Sequence, residues 1–224
     1  MISENSIDQE FLHPKDRRGL FDGLLYVGRV FSEHSWPNLE AVLRQRIEAI
    51  DNVENDFSTY TRLTYLAVVL FFSYVDAAAL STKTILLRAQ KKHLLQKLSN
   101  KQQALLDKDP ERVGFEDLMK IQFSILPHSL GAPREYGTLK QQSLPCVFKL
   151  REVRNRIVHP VGLKDLVGVD IEKLDSEDIN VPMAEFMKTL QETLARCAKC
   201  LVPSDKRNDI GLLDWLQKRE FNLK

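Results

Sequence analysis

The sequence predicts an all-α protein, a helical bundle with additional helices towards its C-terminal end. Three observations carry that expectation. Apolar residues recur three and four positions apart through most of the 224 residues, the spacing of one helix face, and strand-like alternation is scarce. A long segment from about Ser58 to Leu98 keeps that rhythm, with a first half apolar nearly all round. Clusters of proline, glycine and short polar residues punctuate the remainder at intervals that suit helix ends and connections.

Taken in order, residues 1–19 read as a polar leader, and Met1 to Gln9 lacks the apolar core of a signal peptide. Leu20 to Ser32 reads as a first helix. A second, Asn38 to about Asp51, opens after Pro37 with Leu39, Val42, Leu43, Ile47 and Ile50 facing inward. In the long third helix, Asp76 interrupts the apolar run and leaves it too short for a membrane span, so a central bundle helix is expected. Asp76 either faces a donor, a motif arginine or a backbone cap, or is an ordinary structural aspartate. Beyond it come Lys83, Arg88, Lys91, Lys92, His93, Lys97 and Lys101 with no acid among them. Such a run is a solvated helix face or a grip on an RNA backbone, with Arg88, Lys91 and Lys92 as candidate contacts.

Residues 107–145 have a different texture: a turn at Asp107-Lys108-Asp109-Pro110, a short helix over Phe115 to Leu126, and a Pro/Gly/Ser-rich loop over 127–145 carrying His128, Arg134 and Tyr136. After a helix over Leu144 to His159, residues 161–169 are ambiguous and 170–182 read as an acidic loop. Met183 to Leu201 is amphipathic, and Asp209 to Phe221 forms a last helix with Leu212, Leu213, Trp215 and Leu216 on one side. The organisation expected is a leader (1–19), a helical domain (20–203) with a long loop at about 107–145, and a C-terminal helix (204–224) that packs on the domain or on a partner.

Charged residues make up 28% of the chain and hydrophobic ones 43%, as in an ordinary globular protein. A net charge of +1 gives no global attraction to nucleic acid, so any RNA contact must come from a local patch. The three cysteines, Cys146, Cys197 and Cys200, are too few for a disulfide framework, which fits a reducing cytoplasm. Cys197 and Cys200 have a C-x-x-C spacing but no second ligand pair, so no metal or other cofactor is expected. No P-loop, dinucleotide fingerprint, H-E-x-x-H or nucleophile elbow is present.

The chemistry concentrates in Arg154-Asn155-Arg156-Ile157-Val158-His159-Pro160. Guanidinium is a fixed cation with a planar donor fork that suits phosphate oxygens, and imidazole moves protons near neutral pH. At about 100° per residue, Cys146, Leu150, Val153 and Ile157 form the expected core face. Lys149, Glu152 and Arg156 meet solvent, and Arg154, Val147, Val158, Arg151, Asn155, Phe148 and His159 share a mixed arc that suits a wet cleft. Asn155 and His159 are neighbours at i, i+4, whereas Arg154 lies about 140° round from His159. Pro160 ends the helix at the histidine. The same residues are also what a capped, solvated helix end uses to serve its last carbonyls.

Arg154-Asn155 with His159 resembles the signature of the HEPN family, an arginine and a histidine separated by four to six residues, often with Asn directly after the arginine. The resemblance implies a helical bundle that dimerises so that two motif helices line one cleft. It further implies a metal-independent endoribonuclease, with His159 as general acid or base, Arg154 stabilising phosphoryl charge, and Asn155 orienting the histidine or binding phosphate. Arg151, Lys91, Lys92 and Arg88 are then candidate substrate contacts and Asp76 a supporting residue. The partners implied are RNA, a second copy of the chain, and an antitoxin or defence-system protein, with no membrane. The family also contains catalytically silent binding modules for nucleotides or nucleic acid, and a purely helical adaptor is a further alternative. One departure is Val161, where the toxin subgroup that pairs with a nucleotidyltransferase antitoxin carries tyrosine.

Overall fold

A computed structural model describes residues 11–50, 57–159 and 176–202. The helices are α1 (Arg17–Val30), α2 (Trp36–Ile50), α3 (Phe57–Lys91), α4 (Asn100–Asp107), α5 (Phe115–Lys120), α6 (Leu126–Leu130), α7 (Tyr136–Gln141), α8 (Leu144–Val158) and α9 (Ser176–Lys199). Among the described residues there is no strand, so the chain is all-α. Two compact units emerge, one drawn from residues 1–32, 76–137 and 189–219, the other from residues 33–75, 138–188 and 220–224. The leader to residue 10, the segment 160–175 and the expected C-terminal helix lie outside the described residues.

The stripe of α3 accounts for its composition. Tyr60, Thr64, Val68, Phe71, Val75, Ala78, Thr82, Ile85 and Ala89 follow one another at three or four positions and are all buried, the period of one helix face. Leu66, off that stripe, is 45% exposed. By length and composition alone Ser58–Lys91 would qualify as a membrane span, a property that a buried core helix shares. The helix ends seven residues earlier than the apolar rhythm suggests, at Lys91 rather than Leu98. His93 adopts the left-handed conformation (φ 56°). Its N–H donates to the Gln90 carbonyl at 2.9 Å while that of Leu94 donates to Ala89 at 3.0 Å. This is a Schellman closure with histidine where glycine is usual. The basic run is therefore broken up: Lys83 is buried, and Lys97 and Lys101 lie beyond the helix.

In the first unit, Asp16 caps α1 by accepting from the Gly19 N–H at 2.8 Å. The α1 face Leu20, Phe21, Leu24 and Val27 is buried. A Cβ at Gly23 would meet the Phe11 carbonyl at 2.5 Å and Ile85 at 3.3 Å, so glycine is what lets α1 approach that closely. Residues 115–130 form an almost continuous helical run, α5 to α6, and α7 follows, so much of the stretch expected as a loop is helical. The reason lies at Pro127, which lacks an N–H and crowds the carbonyl four residues back. The chain widens over Ile121–Ile125 into a π turn, with Leu126 N–H donating to the Ile121 carbonyl. The Phe123 carbonyl instead accepts from Glu135 N–H at 3.1 Å. A similar widening at Phe31–Ser35, two residues before Pro37, carries helix through from α1 to α2 where a break was expected.

The second unit contains α2, the first half of α3, most of α7, α8 and the first half of α9. Arg46 of α2 bonds Thr64 of α3 and Asn180 of α9. Tyr60 packs against Val153 and Ile157 of α8. Arg151 of α8 lies over the Phe72 ring, and Phe71 packs edge-on to Phe186 of α9 at 5.8 Å. These contacts make α2 and α8 run antiparallel to α3 and α9, so the C-terminal ends of α2 and α8 share one end of the unit with the starts of α3 and α9. Each such aromatic pair adds about 0.5–1.5 kcal/mol beyond area burial. Helix α9 begins upstream of Pro182, within the segment expected as an acidic loop.

Candidate functional site

Helix α8 opens with Pro145 in its first turn, where the missing N–H costs nothing. Leu144, Val147 and Leu150 are buried, while Val153 and Ile157 are half-buried against Tyr60. Val147, placed on the mixed arc by sequence, is 0% exposed, and Cys146 is half-exposed. The inward face is therefore centred nearer Arg154 than expected. Arg154 is half-buried on that face, and Asn155 and His159 are exposed.

Asn155 ties the motif together. Its side-chain Oδ1 accepts from Arg154 Nη1 at 3.3 Å, and its backbone carbonyl accepts from the His159 N–H at 2.8 Å. His159 is the residue at which α8 ends, with φ −130° and ψ 66°. Among the described residues no hydrogen bond joins the Arg154 and His159 side chains. Helix geometry gives the reason, since five positions turn the chain through about 140° net.

The other candidates are dispersed. Arg151 is half-buried, its guanidinium carbon 5.0 Å from the Phe72 ring centroid, a cation–π contact that holds α8 on α3. Arg88, Lys91 and Lys92 are exposed at the C-terminal end of α3, where the helix dipole itself favours cations. Asp76 is half-buried within α3. In the other unit from the motif, Cys197 is buried, which pushes its thiol up and leaves it unreactive, and Cys200 is exposed. Among the described residues no group of three or more His, Cys, Asp or Glu side chains is placed to hold a metal ion.

A buried polar cluster under the motif helix was not foreseen from sequence. Arg46 is 0% exposed. Its Nε donates to Thr64 Oγ1 at 2.7 Å, its Nη1 to Asn180 Oδ1 at 3.1 Å and its Nη2 to the Tyr60 hydroxyl at 2.5 Å. The Tyr60 ring beneath this guanidinium is the one that Val153 and Ile157 rest on. The signal was available in the spacing: Arg46 continues the stripe Leu39, Val42, Leu43, whereas Ile47, expected inward, is 38% exposed. Burying a guanidinium is costly unless hydrogen bonds compensate its desolvation, as they do here.

No family model, curated protein or solved structure matches the chain. The functional reading therefore rests on the residues themselves.

Proposed function

We propose that the chain is a HEPN-like, metal-independent endoribonuclease that acts as a homodimer. The observation that carries this reading is the arrangement at the end of α8, where the Asn155 side chain accepts from Arg154 and His159, one turn on, is exposed. RNA brings its own nucleophile. The 2′-hydroxyl attacks the adjacent phosphorus, the bond to the 5′ oxygen breaks, and the ends left are a 2′,3′-cyclic phosphate and a 5′-hydroxyl. His159 takes the 2′ proton or returns one to the 5′ oxygen, and Arg154 offsets charge on the equatorial oxygens. Because the two side chains diverge on one helix, the reading requires a second α8, from another copy, to bring arginine and histidine to one phosphate. A cytoplasmic toxin or antiviral effector, held in check by a protein partner, is the setting that suits such an enzyme.

A second reading, a binding module that leaves RNA intact, is favoured by one feature: the Arg154 fork is turned to Asn155 rather than to His159. Incubation of RNA with wild-type protein and with His159→Ala in EDTA separates the two. Wild-type cleavage to cyclic-phosphate ends, lost in the variant, supports the nuclease. Equal cleavage by both removes this site from consideration, and Arg154-dependent binding without cleavage selects the module.

A further inference from the structure

The first unit holds a broad surface cavity, open to solvent, of about 550 Å³ lined by Lys97, Leu98, Ser99, Gln102, His128 and Arg134, a volume comparable to small-molecule sites of about 300–1,000 Å³. Its walls are fastened to each other. Gln96 N–H donates to the Ser129 carbonyl at 2.9 Å. Gly131, left-handed at φ 78°, closes α6 and lies so near the Gln96 side chain that a Cβ would be 2.9 Å from Gln96 Nε2. That turn brings Arg134 back beside His128.

The lining mixes apolar Leu98 with polar side chains, and its two charged members, Lys97 and Arg134, are both cations. Arg134 Nη2 lies 2.7 Å from His128 Nδ1. Arginine can only donate, so Nδ1 accepts and the ring hydrogen sits on Nε2. Lys97 and Arg134 are exposed, and no carboxylate among the described residues pairs with either. The nearest acid in sequence, Glu135, is committed elsewhere, to Arg196 at 2.6 Å and Thr193 at 2.9 Å. Ser99 Oγ and Gln102 Oε1 are occupied with each other in a capping box at the start of α4, which leaves Lys97 Nζ, the rest of the Arg134 fork and His128 Nε2 as donors at the cavity. Two cations beside one cavity, with no carboxylate between them, make it attractive to an anion.

We propose that this cavity binds the phosphate of a small phosphate ester, with Arg134 and Lys97 as its cations and His128 as an additional donor. The site is separate in residues from Arg154 and His159 and stands or falls apart from the ribonuclease reading. Calorimetric titration of the full chain with AMP, adenosine, inorganic phosphate and a six-nucleotide RNA tests it. AMP binds and adenosine does not. Arg134→Ala and Lys97→Ala each weaken AMP binding by at least about tenfold, the effect of losing a charged hydrogen bond. Arg134→Lys restores part of it, and His159→Ala leaves it unchanged. Inorganic phosphate binding as tightly as AMP supports the site and assigns the affinity to the anion alone. Failure of AMP and phosphate to bind, AMP binding unaltered in folded Lys97→Ala/Arg134→Ala protein, or binding of the oligonucleotide alone overturns the proposal.

Discussion

Replacing Tyr60 by phenylalanine isolates one hydrogen bond to a fully buried charge. The ring stays, so the support under Val153 and Ile157 is kept and no cavity opens. What is lost is the hydroxyl that accepts from Arg46 Nη2 at 2.5 Å, while the bonds to Thr64 at 2.7 Å and Asn180 at 3.1 Å stay. A hydrogen bond to a charged group contributes about 1.5–3 kcal/mol. Tyr60→Phe should therefore cost about 2 kcal/mol, or about 4–8 °C in Tm for a chain of this length. Urea unfolding followed by circular dichroism reads it. In an Arg46→Met background the same substitution should cost less than about 0.5 kcal/mol, because the charge it served is gone. Equal cost in both backgrounds would refute the reasoning, since it would mean that the hydroxyl acts through something other than Arg46.

Two other outcomes follow from local geometry. His93→Gly should leave stability unchanged or raise it by up to about 1 kcal/mol, and His93→Val should lower it by about 1–2 kcal/mol, since the left-handed φ of 56° suits glycine and penalises a β-branched residue; urea midpoints of the two variants decide this. Tyr136 donates to Glu116 at 3.3 Å, and burial together with that carboxylate pushes its phenol up from 10.0 to about 12. The folded state thus favours the protonated phenol, a contribution present below pH 10 and lost as pH rises from 10 towards 12. Absorbance at alkaline pH should show this tyrosine ionising late, and Glu116→Gln should bring it earlier; no change in that variant would deny the carboxylate its role.

The helical class was legible because periodicity is a local property. The stripes of α1, α3 and α9 are written in the spacing of their apolar residues, and Pro145 and the break at His159 bound α8 by their own stereochemistry. Helix continuity was not legible in the same way. Pro37 and Pro127 read as breaks, yet each follows a widened turn, and the Phe123 carbonyl displaced by one of them is satisfied by Glu135, twelve residues on. Whether a distant donor will be present is not a property of the proline's neighbours.

The candidate site divides in the same manner. Arg154, Asn155 and His159 could be singled out because their residue types and spacing carry chemistry whatever surrounds them. Two things could not be read that way: that Asn155 would turn its oxygen to Arg154, and that Arg46 would be buried among Thr64, Asn180 and Tyr60. The cavity between Lys97 and Arg134 was equally hidden, because its walls come from segments some thirty residues apart, joined by the bond from Gln96 N–H to the Ser129 carbonyl. Sequence alone determined the helical class and singled out the candidate side chains, since both follow from residue types and spacing along a few turns of chain. Only the tertiary structure decided which charges are buried, which are answered and which stand together, because a charge's cost depends on the donors and acceptors that folding brings to it from elsewhere.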